Sequence, residues 1–339
     1  MIRSMRLAAA AVALVLAAPA HAGLELHVHG NRLVDGSGRP VRLLGVNRSG
    51  AEYACVQGWG IWDGPVDKRS IAAMKAWGIN AVRVPLNEDC WLGNGVGPNL
   101  GGAAYHDAVE GYVARLHRAG LYAILDLHWS DGANGRATGQ QPMPDARNSL
   151  TFWISVANTF KADPAVVFDL YNEPHDVSWS CWRYGCTTAG FDAAGMQALV
   201  NAVRLTGAAQ PIMIGGLGWA SDVSSWLGWA PVDSAGQLVA SLHLYNFSGC
   251  HVRTCWNATI ARVTRSVPVV TGELGENDCR HGFIDRYMRW ADAHHVSYLA
   301  WTWDTWNCRS GPALIKDYRG TPTRFGIGFR DHLRMLRRR

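Results

Sequence analysis

From residue 41 onward the chain repeats one pattern: a short, continuously apolar run, a turn, then a stretch of helical periodicity. The runs fall at 41–47, 81–85, 122–128, 166–170, 211–216, 238–245, 267–270 and 298–303. Most of the segments between them read as helix, at 71–77, 105–119, 150–160, 193–206 and 283–294, and a last helix closes the chain at 329–336. A strand that is apolar at consecutive positions is buried on both faces, as in a parallel sheet covered by helices. Repeated strand–helix units imply such a sheet. Eight of them predict an α/β chain of the (β/α)8 TIM barrel class. An open, doubly wound sheet is the competing arrangement, but no G-x-G-x-x-G or P-loop follows any run, which weighs against it. Ahead of the first run, residues 24–29 alternate apolar and polar, 31–34 follow, and Asp35-Gly36-Ser37-Gly38 supplies turn chemistry. These read as a short N-terminal β-hairpin leading into the barrel.

The first 22 residues belong to a different regime. A basic start with Arg3 and Arg6, an apolar stretch from Leu7 to Ala18, and Ala20-His21-Ala22 form the three parts of a secretory signal peptide. The mature chain is expected to begin at Gly23, with 23–339 as one catalytic barrel domain and the protein exported to the periplasm or outside the cell. The apolar stretch is shorter than the roughly 20 residues a membrane span needs, and no later stretch is long enough, so no membrane association is expected after cleavage. Losing the two arginines lowers the formal charge from +5 to +3, too little to argue for nucleic acid. The terminal arginines 334, 337, 338 and 339 read as a solvated helix end. Eight cysteines in an exported chain suggest disulfides. Cys181/Cys186 and Cys250/Cys255 are local pairs that could each staple one loop, and Cys55/Cys90 and Cys279/Cys308 would then tie neighbouring loops, one choice among the 105 pairings that eight cysteines allow. Two C-x4-C spacings do not match a zinc knuckle.

The chemistry is concentrated where the apolar runs end. Tyr171-Asn172-Glu173-Pro174 closes the run at 166–170, and Thr271-Gly272-Glu273 closes the run at 267–270. In a parallel barrel the C-terminal strand ends form one face, where active sites are built. The same ends offer Arg83, His128, His243, Tyr245 and Trp301. Charged and polar groups gathered at one buried face are costly unless paired, so packing alone does not account for the set. Two carboxyls at two strand ends match the requirement of a retaining glycosidase.

Taken in order, Val82-Arg83-Val84-Pro85, Asp126-Leu127-His128, Asn172-Glu173-Pro174, His243-Leu244-Tyr245, Gly272-Glu273 and Trp301 resemble glycoside hydrolase family 5, the cellulase family, over about 41–306. The resemblance implies Glu173 as acid/base and Glu273 as nucleophile. Asn172 is implied to hold Glu173 and the sugar 2-hydroxyl, and Arg83 and Tyr245 to bind the nucleophile. His128 and His243 are implied to line the same subsite, with Trp301 as the floor under the sugar ring. Where the family often places a polar residue after the third-strand histidine, this sequence has Trp129. The nucleophile has to be ionised, which a nearby guanidinium favours, and the acid has to start protonated in a less solvated setting.

The resemblance implies hydrolysis of a polysaccharide or oligosaccharide by a monomer with no cofactor and no metal, most simply endo cleavage of β-1,4-glucan by double displacement. Endo-β-1,4-mannan or mixed-linkage glucan hydrolysis is the alternative on the same site. His27-x-His29 looks like a metal pair but lies in the hairpin ahead of the barrel, and a non-catalytic sugar-binding barrel would not need both glutamates. Sixteen tryptophans, nine of them near strand-end loops (Trp59, Trp62, Trp91, Trp129, Trp179, Trp182, Trp219, Trp256 and Trp306), are candidates for stacking against sugar faces.

Overall fold

The computed structural model describes residues 24–307 and 311–338. The expected signal segment, Gly23, Cys308 and Arg339 lie outside those residues. The barrel follows a small antiparallel sheet of β1 (His27–His29), β2 (Arg32–Val34) and β3 (Pro40–Val41). The expected hairpin is therefore present, and the start of the first apolar run is spent on its third strand. The barrel strands are β4 (Leu44–Asn47), β5 (Ala81–Asn87), β6 (Tyr122–Trp129) and β7 (Val166–Asp169). A surface hairpin, β8 (Gly185–Thr188) and β9 (Phe191–Ala194), precedes the remaining four: β10 (Ile212–Gly215), β11 (Leu238–Tyr245), β12 (Val269–Gly275) and β13 (Ser297–Ala300). These eight strands close into one parallel barrel in sequence order.

Helices α1 (Lys68–Trp77), α2 (Glu88–Leu92), α3 (Ala103–Arg118), α4 (Ser149–Phe160), α5 (Trp179–Tyr184) and α6 (Met196–Leu205) surround the first half of the barrel. The second half carries α7 (Trp226–Trp229), α8 (Arg253–Ala258), α9 (Ile260–Val263), α10 (Gly282–Ala293) and α11 (Arg324–Arg337). Hairpin β14–β15 (Ile315–Asp317, Thr321–Pro322) leads into α11.

Three helix starts differ from the sequence expectation, each for a local reason. α1 begins at Lys68 because the Asp67 side chain accepts from the Ser70 N–H, capping the first turn. α11 begins at Arg324 because Thr323 caps the Gly326 N–H, and Gly326 packs so closely that a Cβ there would lie 1.9 Å from the Leu314 carbonyl oxygen. The two glycines 326 and 328 hide the helical period in the sequence. α6 starts at Met196, since Ala193 and Ala194 pair with Cys186 and Gly185 in the β8–β9 hairpin.

Inward-facing side chains form a filled core, as in other barrels of this type. Its lower layer joins Ala81, Ile124, Val167, Met213, Val239, Val270 and Leu299 from the strands to Leu26 and Leu33 of the N-terminal sheet. That sheet plugs the N-terminal mouth and leaves the opposite mouth for polar side chains. Three disulfides, Cys55–Cys90, Cys181–Cys186 and Cys250–Cys255, tie loops around that open end; the last two are the expected local pairs, and the first is the longer link named with them. The fourth expected pair involves residue 308, outside the described residues. No helix among the described residues is long and apolar enough to cross a membrane.

Candidate active site

Arg83, fully buried in β5, is the hub of the open mouth. Its Nε donates to Asp169 Oδ2 (2.8 Å), one terminal nitrogen to Asn47 Oδ1 (3.0 Å) and Glu273 Oε1 (2.9 Å), and the other to Asn172 Oδ1 (3.0 Å). That second nitrogen also lies 2.9 Å from Asp126 Oδ1. A guanidinium has five N–H donors in a rigid plane, and here four hydrogen bonds and one ion pair reach groups on β4, β6, β12 and the end of β7. Strand register arranges this. Asn47 is paired with Arg83, and Asp126 with Asp169. Burial pushes Asp126 and Asp169 up to about 7, against the pull of Arg83.

The two glutamates come together across this hub. One carboxylate oxygen each from Glu173 and Glu273 and a ring nitrogen of His243 lie within 4.8 Å of one another. Glu273 Oε2 also accepts from the Tyr245 hydroxyl at 2.5 Å. Both of its oxygens are therefore pinned as acceptors, one by a guanidinium and one by a phenol. A register shift in the β11–β12 ladder pairs Leu242 with Thr271 and His243 with Glu273, skipping Gly272. This irregularity brings the Glu273 and His243 side chains to the same side. Space at Gly272 is tight: a Cβ would come within 3.0 Å of Ser241 Oγ and 3.1 Å of His243 Nε2.

Glu173 is held differently. His243 Nδ1 lies 2.9 Å from its Oε1, and the Gln140 amide donates to its Oε2 at 2.7 Å. Burial pushes the Glu173 carboxyl above its ordinary value, against the pull of the Gln140 donor. Burial also pushes His243 down to about 3, so the imidazole is neutral near pH 7 and meets Glu173 through a single shared hydrogen. The pair thus has one carboxylate fixed between two donors and one carboxyl whose proton is favoured. That difference is what an acid and a nucleophile acting on one bond require.

The remaining expected residues are at the same mouth. His128 Nδ1 lies 2.6 Å from Asp126 Oδ2, and its ring stacks against Trp301 at 5.5 Å between centroids and 15° between planes. Asn172 gives its carbonyl to Arg83, which leaves the NH2 as its donating end. Aromatic contacts run outward from Trp301 through Trp306 to Tyr53, which also meets Trp59 and Trp129. Separately, the exposed Trp219 stacks on His175 at 3.6 Å, and the His175 Nδ1 is bonded to the Glu173 carbonyl. Trp91, Trp182 and Trp256 are buried in the core and are withdrawn as sugar platforms.

Sequence reasoning missed Asn47, Asp169 and Gln140. Asn47 was visible at a strand end, in Gly45-Val46-Asn47. Asp169 looked like one polar residue inside an apolar run. Gln140 lies in a loop whose path no local pattern gives.

Residues 34–307 match the family model for Cellulase (glycosyl hydrolase family 5). Among curated relatives, Endoglucanase 1 of Saitozyma flava is 30% identical over 233 residues, covering 64% of each chain. An endoglucanase of Paenibacillus polymyxa is 23% identical over 341 residues, covering 86% of this chain and 83% of that one. The chain thus spans just under two thirds of the first relative's length, and 51% of an endoglucanase from Microbulbifer. Among solved structures, a β-glucanase of Saccharophagus degradans in complex with cellotetraose superposes with a TM-score of 0.73 at 21% identity, covering 93% of this chain and 94% of that one. The catalytic domain of the major endoglucanase from Xanthomonas campestris gives 0.68 at 18%, covering 89% of this chain and 97% of that one. At these identities the structural likeness is one of fold.

Proposed function

The chain belongs to the cellulase family, glycosyl hydrolase family 5, and from that premise we propose that it is an exported, retaining endo-β-1,4-glucanase. Glu273 is the nucleophile and Glu173 the acid/base. The observation that carries this reading is that the two carboxyls face each other across one mouth, with one oxygen of each within 4.8 Å of the other. Retaining enzymes hold the pair about 5–5.5 Å apart, whereas inverting enzymes leave 6.5–9.5 Å for a water.

In the first step Glu273, aligned by Arg83 and Tyr245, attacks the anomeric carbon as Glu173 gives its proton to the leaving oxygen. The resulting glycosyl ester is cleaved in the second step by water that Glu173, now ionised, deprotonates. The Asn172 NH2 is placed for the sugar 2-hydroxyl, and Trp301 forms the floor, with His128 beside it. Arg83, His243 and Tyr245 are positioning residues for the two glutamates. Endo action is supported by aromatic rings that lead away from Trp301 while Trp219 stacks on His175, two residues past Glu173. A glucan substrate is supported by relatives named endoglucanase and by the cellotetraose held by a protein of the same fold. The 1–22 segment is proposed as a signal peptide removed on export, leaving one domain.

The test is proton NMR of early cellotetraose hydrolysis, with product sizing on a panel of β-1,4-glucan, mixed-linkage glucan and β-mannan. β-Anomer formed first, with internal cuts in β-1,4-glucan, is expected. α-Anomer formed first would refute double displacement, and preference for mannan would replace the substrate. Glu273→Ala should abolish hydrolysis.

A further inference from the structure

Beside the catalytic mouth lies a second group of carboxylates that the reaction does not use. Glu88 and Asp89 open α2 directly after β5, Asp131 follows the end of β6, and Asp145 stands at the far end of the 130–148 loop, bridged to Ala193. All four are buried. Oxygens of Glu88, Asp131 and Asp145 lie within 4.8 Å of one another.

Neutral donors reach most of their oxygens, but little positive charge does: the Asp131 N–H donates to Glu88 Oε1 (3.2 Å), the Arg147 and Asn148 N–H groups to Asp145 Oδ1 (2.8 Å each) and the Ala137 N–H to Asp89 Oδ2 (3.1 Å). The Ser149 hydroxyl lies 2.6 Å from Glu88 Oε2 and 2.9 Å from Asp145 Oδ2, yet it has one hydrogen to give. Asp131 receives the Asn148 amide on Oδ2 (2.9 Å), while its Oδ1 is buried without a partner. Asp89, outside that trio, lies against Asp131 and likewise has a buried Oδ1 that no donor reaches. The one guanidinium paired with the group among the described residues is Arg136, partly exposed, 2.9 Å from Asp89 Oδ2. Four buried carboxylates facing one cation are costly unless further positive charge joins them.

We propose that Glu88, Asp131 and Asp145, with Asp89 beside them, form a calcium site that clamps the two ends of the 130–148 loop to α2. Oxygens up to 4.8 Å apart suit an ion bound at 2.3–2.6 Å, since ligands on opposite sides are then about 4.6–5.2 Å apart. The donors are all oxygen, which selects a hard cation. Three or four carboxylates in one cage suit calcium, because magnesium keeps most of its waters and takes one or two. A cavity of about 420 Å³ lined by Asp131, Gly132, Ala133, Asp145, Ala146 and Arg147 adjoins the group and gives an entry path. The clamped loop carries Gln140, whose amide holds Glu173. The ion therefore acts on the catalytic mouth through loop order and takes no part in bond cleavage.

The experiment uses chelator-stripped mature protein, with calorimetric titration of calcium chloride and thermal melts in 5 mM calcium or EDTA. One site per chain is expected, and for an affinity near 0.1 mM, at the tight end for extracellular sites, the melting point should rise by about 5 °C. Asp131→Asn and Glu88→Gln should weaken binding at least tenfold, and the exposed control Glu110→Gln should not. Absence of heat and of any melting shift in the wild type would overturn the site, and would assign the missing charge to shared protons. Unweakened binding in both variants would also overturn it. If neither variant folds, hydrogen exchange of the wild-type 129–148 segment decides: slowing on calcium addition supports the clamp, and unchanged exchange overturns it. None of these readouts depends on glucan hydrolysis.

Discussion

Replacing Arg83 by lysine separates two descriptions of the hub: a charge that neutralises nearby carboxylates, or a planar fork whose every donor is assigned. Lysine keeps the charge but offers three donors against four hydrogen-bond acceptors and one ion-pair oxygen at 2.8–3.0 Å. At least two of these five buried groups then lose their contact. Each such loss costs about 1–3 kcal/mol, so the variant should be less stable by about 2–6 kcal/mol. For a chain of this length a kcal/mol moves the melting point by about 2 °C, which gives a fall of about 4–12 °C. The functional effect follows from Glu273. With Oε1 released and only Tyr245 holding Oε2, the carboxylate can rotate, and a displacement of about 1 Å from the attack position costs on the order of 100-fold in rate. Differential scanning calorimetry with steady-state kinetics on a soluble cello-oligosaccharide reads both. A lysine variant melting within about 1 °C of the wild type, with kcat within about threefold, would refute the fork and leave only a charge.

Gln140→Leu removes the N–H that favours ionised Glu173, so the acid should hold its proton to higher pH. The alkaline limb of kcat/KM should move upward while the acid limb stays; a limb that is unmoved or moves down counts against the contact. Gly272→Ala should push on His243 and Ser241 and lower kcat by about tenfold with the chain still folded, checked by kinetics beside circular dichroism; unchanged kcat would mean that the mouth absorbs the methyl freely. Replacing Cys55 and Cys90 by serine opens a link across 35 residues, worth about 4 kcal/mol in the chain-entropy picture. Its urea midpoint should fall further than that of the Cys250/Cys255 double variant, and the reverse order would contradict that picture.

The barrel could be read from the sequence because its strands are buried on both faces, so each appears as an unbroken apolar run with a polar residue only where the mouth begins. Glu173, Glu273, His128 and Tyr245 were legible for that reason, each lying at or just past the end of its run, whereas Arg83 and His243 lie inside theirs and stood out through the family motifs around them. Asp169 broke the rule by lying inside a run, and nothing local distinguishes a buried aspartate with an arginine partner from a strand-end residue. Short elements such as α5 and the β8–β9 hairpin are fixed by a capping serine, a disulfide and cross-strand pairing rather than by periodicity. The tryptophans divided by environment, since an indole packs equally well against a barrel helix or a sugar face. Trp182 spends its N–H on the Gly215 carbonyl, whereas Trp219 lies exposed on His175.

The charge count explains why this mouth can tell its carboxylates apart. Asp126, Asp169 and Glu273 share one guanidinium, and a single positive charge does not balance three negative ones in a buried place. Burial moves Asp126 and Asp169 up to about 7, so at mildly acidic pH both favour their protons and the charge of Arg83 is left to Glu273. Glu173 has no cation in contact. Its partners are a neutral imidazole and an amide, and burial favours its proton. The proposed acid and nucleophile would thus be distinguished by the hub rather than by residue type, through Asp126 and Asp169, which are themselves fully buried. As pH rises through 7 the two aspartates ionise and compete for Arg83, so the hub that positions Glu273 is best paired on the acidic side of neutrality.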